Sequence, residues 1–491
     1  MNEPTGRNDL RAIARRAMAN RGLESNFPAD AIRQLDAIPG PARESTAAVR
    51  DLRALLWCSI DNDSSRDLDQ LTVAERLPDR RTKVLVAIAD VDALVRSGSP
   101  IDRHAAANTT SVYTPAQVFP MLPERLSTDL TSLGEGQDRL AVVVELVVAV
   151  DGSVTVDKST VYRALVHNHA KLAYHGVADW LDAKGAAPAR FAAVPGLDEQ
   201  IRMQDRVAQT MKAGRHQQGA LDFESLEPQA QVDGGRVVDL RLERHNRAQD
   251  LIAEFMIAAN GVVAQFHGQH GSPALERVVR SPERWDRIRT VAERFGDRLP
   301  AEPDSKALGD FLARRRQADP LRFPDLSLTI VKLMGPGEYV VHLPGQASTG
   351  HFGLAVRDYS HSTAPNRRFP DLVTQRLVKA ALAGQQAPYT SSDLTALATH
   401  CTRQEDAAKK VERQVRKSAA ALYLIDRVGE TFDALVTGAS DKGTWVRVVK
   451  PPVEGMLTGG REGADVGDQL RVRLVGVNVE RGFIDFVRAG K

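Results

Sequence analysis

The chain has 491 residues, 42% of them hydrophobic and only 5% aromatic, with 65 Lys and Arg against 63 Asp and Glu. That length suits two to four domains with large cores, and a net charge of +2 names no partner, so local charge has to be read instead. Two cysteines, Cys58 and Cys401, make neither a disulfide framework nor a zinc site, which suits a reduced, cytoplasmic setting; the N-terminus lacks an apolar core of signal-peptide type, and no apolar run is long enough to forecast a membrane span.

Residues 1–50 read as a small helical module. Leu10, Ile13, Ala14 and Ala17 recur at helical spacing behind Asp9, a candidate N-cap. Arg11, Arg15, Arg16 and Arg21 make the remaining surface basic. A second helix starts at PADAIRQLDAI, with Ile32 and Leu35 facing inward, and PGPA at 39–42 ends it. The pair is either a helix-turn-helix that binds nucleic acid or a solvated hairpin packed on the main body.

The next stretch poses a chemical question. LRALLW (52–57) reads as a buried strand, and it runs into SIDNDSSRDLDQL (59–71), which carries Asp61, Asp63, Asp67 and Asp69. Crowded carboxylates repel one another unless a cation or a proton neutralises them. The cluster is therefore a metal site, a solvated acidic turn, or a set of caps. A calcium loop is excluded: its glycine position holds Arg66 and its closing glutamate position holds Thr72. A hard-metal site remains open. Asp61 would end the strand, and Asp67 and Asp69, two apart, would share one face of an extended segment. Three carboxylates would then converge on one or two Mg²⁺ ions, which take few carboxylates and complete their shells with water and phosphate. Asp63 would cap the turn.

Residues 51–427 mix strands and helices without a fixed repeat, which indicates a large α+β domain. TKVLVAIADVDALV is a strand and turn, and RLAVVVELVVAV and SVTVDKSTVYRALV bracket a hairpin signal at Asp151-Gly152. HNRAQDLIAEFMIAANGVVAQF is a long helix with Leu251, Ile252 and Phe255 inward; PDLVTQRLVKAAL is another, and 391–427 a third, with Ser391 and Ser392 available as caps. From Ala364 to Lys417 ten Lys or Arg face five Asp or Glu, an excess that suits a polyanion or a solvated helix face. The tail, 428–491, holds five short strands in Gly- and Asp-rich turns, the pattern of an OB-type barrel. Its Phe432 and Trp445, beside Lys442 and Arg447, are either base-stacking faces or core.

These segments together resemble the ribonuclease II and ribonuclease R family. Its signature has four aspartates, the later three following the first by six, eight and nine residues; here those positions are Asp61, Asp67, Asp69 and Gln70. VAIADV (86–91), SVYTPAQVFPMLPERLSTDLTSL (111–133), AKLAYHGVADWL (170–181), GALDFE (219–224), LIAEFMIAAN (251–260) and HFGLAVRDYSHSTAPNRRFPDL (351–372) are similar to later family blocks in the same order, with Ala364, Asn366 and Phe369 as departures. The tail resembles the S1 domain that follows in the family. The resemblance implies an Mg²⁺-dependent (or Mn²⁺-dependent), processive 3′→5′ exoribonuclease that takes single-stranded RNA and acts as a monomer. It implies metal ligands at Asp61, Asp67, Asp69 and Gln70, with Asp69 and Arg367 catalytic and Arg367 steadying phosphate charge. It also implies RNA contacts at Tyr113, Tyr174, Glu254, Arg368 and Glu412. Gln70 supplies no charge, though its amide oxygen can coordinate or orient water. A catalytically impaired RNA-binding member of the family is the alternative. Residues 1–50 are too few for the family's usual pair of cold-shock barrels, so the basic helical module would guide RNA.

Overall fold

The computed structural model describes residues 9–224, 228–233, 236–242, 244–440 and 443–490. It opens with two short helices, α1 (Leu10–Ala19) and α2 (Ala29–Asp36). Asp9 caps α1, its carboxylate accepting from the Arg11 N–H at 2.9 Å. In α2 the buried residues are Ala31 and Leu35, while Ile32 is 39% exposed; the inward stripe is rotated by one residue from the expected one. The two helices do not share a core. Leu10 and Ile13 of α1 join the C-terminal barrel's cluster, whereas Ala31 and Leu35 join the cluster under the main sheet.

That sheet has seven strands. In chain order they are β1 (Val49–Asp51), β2 (Cys58–Asp61), β3 (Gln70–Arg76), β4 (Thr82–Ala89) and, after helix α3 (Pro100–Asn108) and the small hairpin β5 (Val112–Tyr113) and β6 (Val118–Phe119), β7 (Asp138–Val148), β8 (Thr160–His167) and β9 (Ala170–Ala173). Their spatial order is β1-β8-β7-β4-β3-β2-β9. The centre is antiparallel, and the outer pairs β1/β8 and β2/β9 are parallel. LRALLW is not a strand. The Leu55 N–H bonds the Leu52 carbonyl at 3.2 Å and the Trp57 indole N–H bonds the same carbonyl at 2.8 Å, so the run folds into a turn that buries Trp57. Apolar content showed burial there; local hydrogen bonding chose the turn.

Both faces of the sheet are covered. In β4, Leu85, Ala87 and Ala89 pack into one cluster and Val84, Val86 and Ile88 into the other. This two-sided burial makes the strand read as a continuous apolar run. One face meets α3 and later helices; the other meets α4 (Tyr174–Leu181), the short α5 (Ala189–Ala193) and α6 (Leu197–Gln217). It also meets, after the hairpin β10 (Pro228–Asp233) and β11 (Arg236–Leu242), the long α7 (Arg247–Gln269). Leu251, Ile252 and Phe255 of α7 are buried as the periodicity requires.

The chain continues through β12 (Ala274–Val278), α8 (Trp285–Arg294), α9 (Ser305–Ala318) and α10 (Phe323–Met334), whose apolar faces make a separate small core, then β13 (Glu338–His342), α11 (Phe369–Leu382) and α12 (Ser391–Tyr423). The cap of α12 is Thr390, which forms a capping box with Asp393, rather than Ser391 or Ser392. This helix of 33 residues spans about 50 Å and carries the chain from the body to the tail. There β14 (Thr431–Ser440), β15 (Gly443–Val448), β16 (Val453–Gly459), β17 (Gln469–Asn478) and β18 (Phe483–Arg488) close into a barrel of order β14-β15-β16-β18-β17. The five strands match the expected OB-type tail. Arg16–Glu480 at 2.6 Å and Arg447–Asp325 at 2.8 Å tie the barrel to α1 and α10.

Candidate active site

The acidic segment leaves β2 at Asp61 and re-enters the sheet at Gln70, the first residue of β3. Its turn is capped by Asp61, whose carboxylate accepts from the Asn62 N–H at 2.7 Å and the Ser65 hydroxyl at 2.9 Å. Asp63, the expected cap, contributes its backbone carbonyl to Lys171 Nζ at 2.8 Å. Beyond the turn the chain is stitched to 131–133. The Ser132 hydroxyl accepts from the Leu68 N–H and donates to the Arg66 carbonyl, and the Leu133 N–H reaches the Leu68 carbonyl. Buried Leu68 anchors the segment, with Asp67 and Asp69 on either side of it.

Asp69 is the best-held carboxylate. It is 2% exposed; one oxygen accepts from the Asn366 N–H at 2.9 Å and the other from Arg367 Nε at 3.2 Å. Burial pushes its pKa up to about 7, against the opposing pull of Arg367. The Asp67 pKa is also raised, by burial first and by the Asp61 charge among the smaller causes. Asp67 accepts from the Tyr113 hydroxyl at 3.3 Å. Arg367 keeps 42% of its side chain accessible although protein surrounds it, as a group on the wall of an open cleft would. Tyr174 follows β9, whose Ala173 pairs with Asp61. Burial and the Asp61 charge raise its phenol pKa. Asp61, Asp67, Asp69, Arg367, Tyr113 and Tyr174 therefore form one electrostatic neighbourhood built from four separate chain segments.

The loop that delivers Arg367 is fixed along its length. Asn260 of α7 accepts from both the N–H and the hydroxyl of Ser362, the Gln70 amide nitrogen donates to the Thr363 carbonyl, and Asp371 accepts from the Ala364 N–H at 2.8 Å. The Thr131 hydroxyl donates to the Asn366 side chain at 2.5 Å. Sequence reading singled out none of Asn260, Thr131 and Asp371. For Asn260 and Asp371 the signal was only a polar residue within an otherwise apolar helical pattern; Thr131 had none.

Beside this neighbourhood lies a cavity of about 210 Å³ lined by Tyr113, Arg367, Arg368 and Glu412, together with Glu405 and Lys409 of α12. A Glu412 oxygen accepts from the Tyr113 N–H at 2.9 Å, which brings the middle of the long helix against β5. Arg368 lines the cavity, but its guanidinium bonds Asp371 at 2.7 Å and the Thr363 hydroxyl at 3.3 Å. The basic excess of 364–417 is partly neutralised by acids from other elements: Arg376 pairs with Asp92 and Asp102, and Lys379 with Asp90 and Asp92.

Other expected positions lie apart. Glu254 is 3% exposed and its carboxylate is engaged by Arg215 through two hydrogen bonds, Nε at 3.0 Å and a terminal nitrogen at 2.5 Å. As placed, it holds α7 to α6 and presents no free oxygen to a ligand. Phe432 is barrel core, edge-on to Phe486, with the Arg427 guanidinium over its ring, so the stacking alternative is overturned by burial. Trp445 on β15 is only partly buried. Lys442 lies outside the described residues, and Arg447 is engaged with Asp325.

The expected convergence of three carboxylates is not found. Among the described residues no group of three or more His, Cys, Asp or Glu side chains is placed to hold a metal ion, because Asp61 turns to its own loop and Asp69 to Asn366 and Arg367. The donors nonetheless suit a hard divalent cation: all are oxygens, and a buried carboxylate with a raised pKa is one whose charge lacks full compensation. Asp67 and Asp69 fit an ion that takes one or two carboxylates and completes its shell with water and phosphate. Gln70 uses its amide nitrogen on Thr363, which leaves only its oxygen available.

Comparison with known proteins places this geometry in a family. Residues 49–384 match the RNB domain, and residues 430–489 match the RNase II-type exonuclease C-terminal S1 domain. Ribonuclease R of Thermotoga maritima is 31% identical over 94% of this chain and 68% of its own, and ribonuclease R of Escherichia coli is 31% identical over 90% of this chain and 58% of its own. The fold resembles the apo form of Mycoplasma genitalium RNase R, with TM-score 0.86, 21% identity and coverage of 98% of this chain and 78% of that one. It also resembles yeast Ssd1, a pseudonuclease, with TM-score 0.69, 17% identity and coverage of 96% and 57%.

Proposed function

The chain belongs to the RNB-domain family, and from that premise we propose that it is a divalent-metal-dependent 3′→5′ exoribonuclease that shortens single-stranded RNA and releases nucleoside 5′-monophosphates. The observation that carries the reading is the Asp69–Arg367 pair, 3.2 Å apart at the wall of an accessible cleft, with Tyr113 bonded to Asp67 beside it. Because a pseudonuclease shares the fold, the chemistry has to be argued from these side chains.

Asp67 and Asp69 would hold the ion, Mg²⁺ or Mn²⁺, with Asp61 and the Gln70 oxygen nearest to assist. Bound there, the ion supplies activated water and neutralises phosphate charge. Arg367 presents an accessible guanidinium to a phosphate, a task that suits its planar fork. Asp69 aims it through Nε. Tyr113, 43% exposed, offers a ring for the terminal base, while Glu412 fixes the backbone of that tyrosine. Tyr174 closes the side nearest Asp61. The S1 barrel, with α1 packed against it, would receive the strand before it reaches the site. Among the described residues no helix is long and apolar enough to cross a membrane; we place the protein in the cytoplasm, acting as a monomer on RNA.

A time course on a 5′-labelled single strand tests this: a ladder shortening from the 3′ end, abolished by chelator, is expected, and internal cuts alone would refute it. The second reading, an RNA-binding member with an impaired site, is favoured by Gln70, since the family's fourth carboxylate is absent. It requires RNA binding without turnover in both Mg²⁺ and Mn²⁺.

A further inference from the structure

The far end of the central sheet carries a second, chemically distinct concavity of about 580 Å³, within the size range of small-ligand sites. Arg76 ends β3, and Arg80 sits in the turn that leads to β4. Across from them Met203, Arg206, Val207 and Thr210 fall at i, i+3, i+4 and i+7 on one face of α6. All three guanidinium groups are exposed, and among the described residues none is in an ion pair or a hydrogen bond. No Asp or Glu lines the cavity. The hairpin's own acids are committed elsewhere: Asp79 to Arg81, and Glu75 to Lys83 at 2.6 Å. By contrast, the cavity that holds Arg163, Arg376 and Lys379 also contains Asp92, which pairs with two of them.

The walls are pre-formed. Gly152 (φ +87°) presses the β7–β8 turn onto α6 so closely that a Cβ there would meet the Thr210 carbonyl oxygen at 2.6 Å. Val150, 64% exposed, adds an apolar surface beside the cations. Six strand steps separate Arg76 from Gln70, about 20 Å, so this cavity is not part of the cleft at Asp69.

We propose that this cavity binds the phosphate of a nucleotide unit, carried either on an RNA strand or on a free 5′-mononucleotide. Three uncompensated guanidinium groups recognise phosphate by charge and by paired N–H donors, and the apolar wall accepts the sugar or base. The test uses the full chain in chelator, with 5′-AMP and a 5′-labelled single-stranded RNA as separate probes. The variant is Arg76→Glu, Arg80→Glu, Arg206→Glu. A charge-matched control changes Arg287, Arg294 and Arg298 to Glu, all exposed and outside the cavity's lining. An AMP affinity at least tenfold weaker than in the control, with RNA affinity equal to it, establishes the free-nucleotide source. RNA binding weakened tenfold, with the log–log salt slope reduced by about 2 for three contacts on a single strand, establishes the strand source. Both probes binding as in the control would overturn the site. Should the triple variant fail to melt cooperatively, Arg206→Gln at its exposed helical position carries the same comparison, with a threefold loss expected against unchanged binding.

Discussion

Asp69 shows how one side chain can be costly to the fold and useful to the chemistry. Its burial raises its pKa to about 7, so a neutral amide should be tolerated there. Asp69→Asn is therefore expected to melt at or above the temperature of the parent in chelator and to bind RNA as well. Its turnover should fall about 10²–10³-fold, the scale of losing one electrostatic partner of a transition state; unchanged turnover would remove Asp69 from the mechanism. Gln70 is a different case. Its amide nitrogen donates to the Thr363 carbonyl, which a carboxylate cannot do. Gln70→Asp should lose about 1–3 kcal/mol in urea denaturation under chelator, the cost of an abandoned buried acceptor. A variant as stable as the parent would show that the bond contributes nothing to the loop. Glu254→Gln should act on stability, by about 3–5 kcal/mol for an uncompensated buried Arg215, and a variant that loses RNA affinity without losing stability would return Glu254 to the binding surface.

At the scale of elements, the site is a meeting of pieces far apart in sequence: the β2–β3 connection, β5, the loop before α11, and the middle of α12. The order of the motifs along the chain was legible from their resemblance to the family's blocks, and the elements that carry them from local periodicity. The partnerships were not, because a hydrogen bond from Asn366 to Asp69 or from Tyr113 to Glu412 leaves no trace in local spacing. The barrel illustrates the same point. Strand alternation announced five strands, yet alternation alone could not say which aromatic faced in. Phe432 lies inside the barrel, and Trp445 is only partly covered. Phe432→Ala is accordingly expected to cost about 3–5 kcal/mol of barrel stability, whereas Trp445→Ala should leave melting within about 1 kcal/mol and weaken RNA capture. Equal stability losses in the two variants would contradict this assignment.

Across the whole molecule, burial of ionisable groups sets a pH dependence. His267 is fully enclosed, neither ring nitrogen has a hydrogen-bond partner among the described residues, and burial lowers its pKa to about 4. The unfolded chain titrates near 6.5 and so binds the proton more readily between these values. Stability from the neutral ring is complete above about pH 6.5 and drains as pH falls toward 4, by up to about 3 kcal/mol for this group. His267→Leu should flatten the acid limb of a urea-midpoint profile between pH 7 and pH 5; a limb as steep as the parent's would place the sensitivity elsewhere, buried His104 and half-buried His361 also having pKa values lowered by burial.

By itself, the sequence determined which residues could do chemistry and what kinds of element carry them. Charge crowding, apolar period and turn residues are local properties, and they sufficed for the mixed body, the barrel tail and the acidic segment; the place of Gln70 came from the family resemblance. Tertiary structure alone decided which carboxylate caps a turn and which holds an arginine. It made Glu254 a strut, split the two N-terminal helices between different cores, and left three arginines unpaired at the far end of the sheet. Those outcomes depend on which donor arrives from another part of the chain, and that is settled only when burial makes an unpartnered polar group costly.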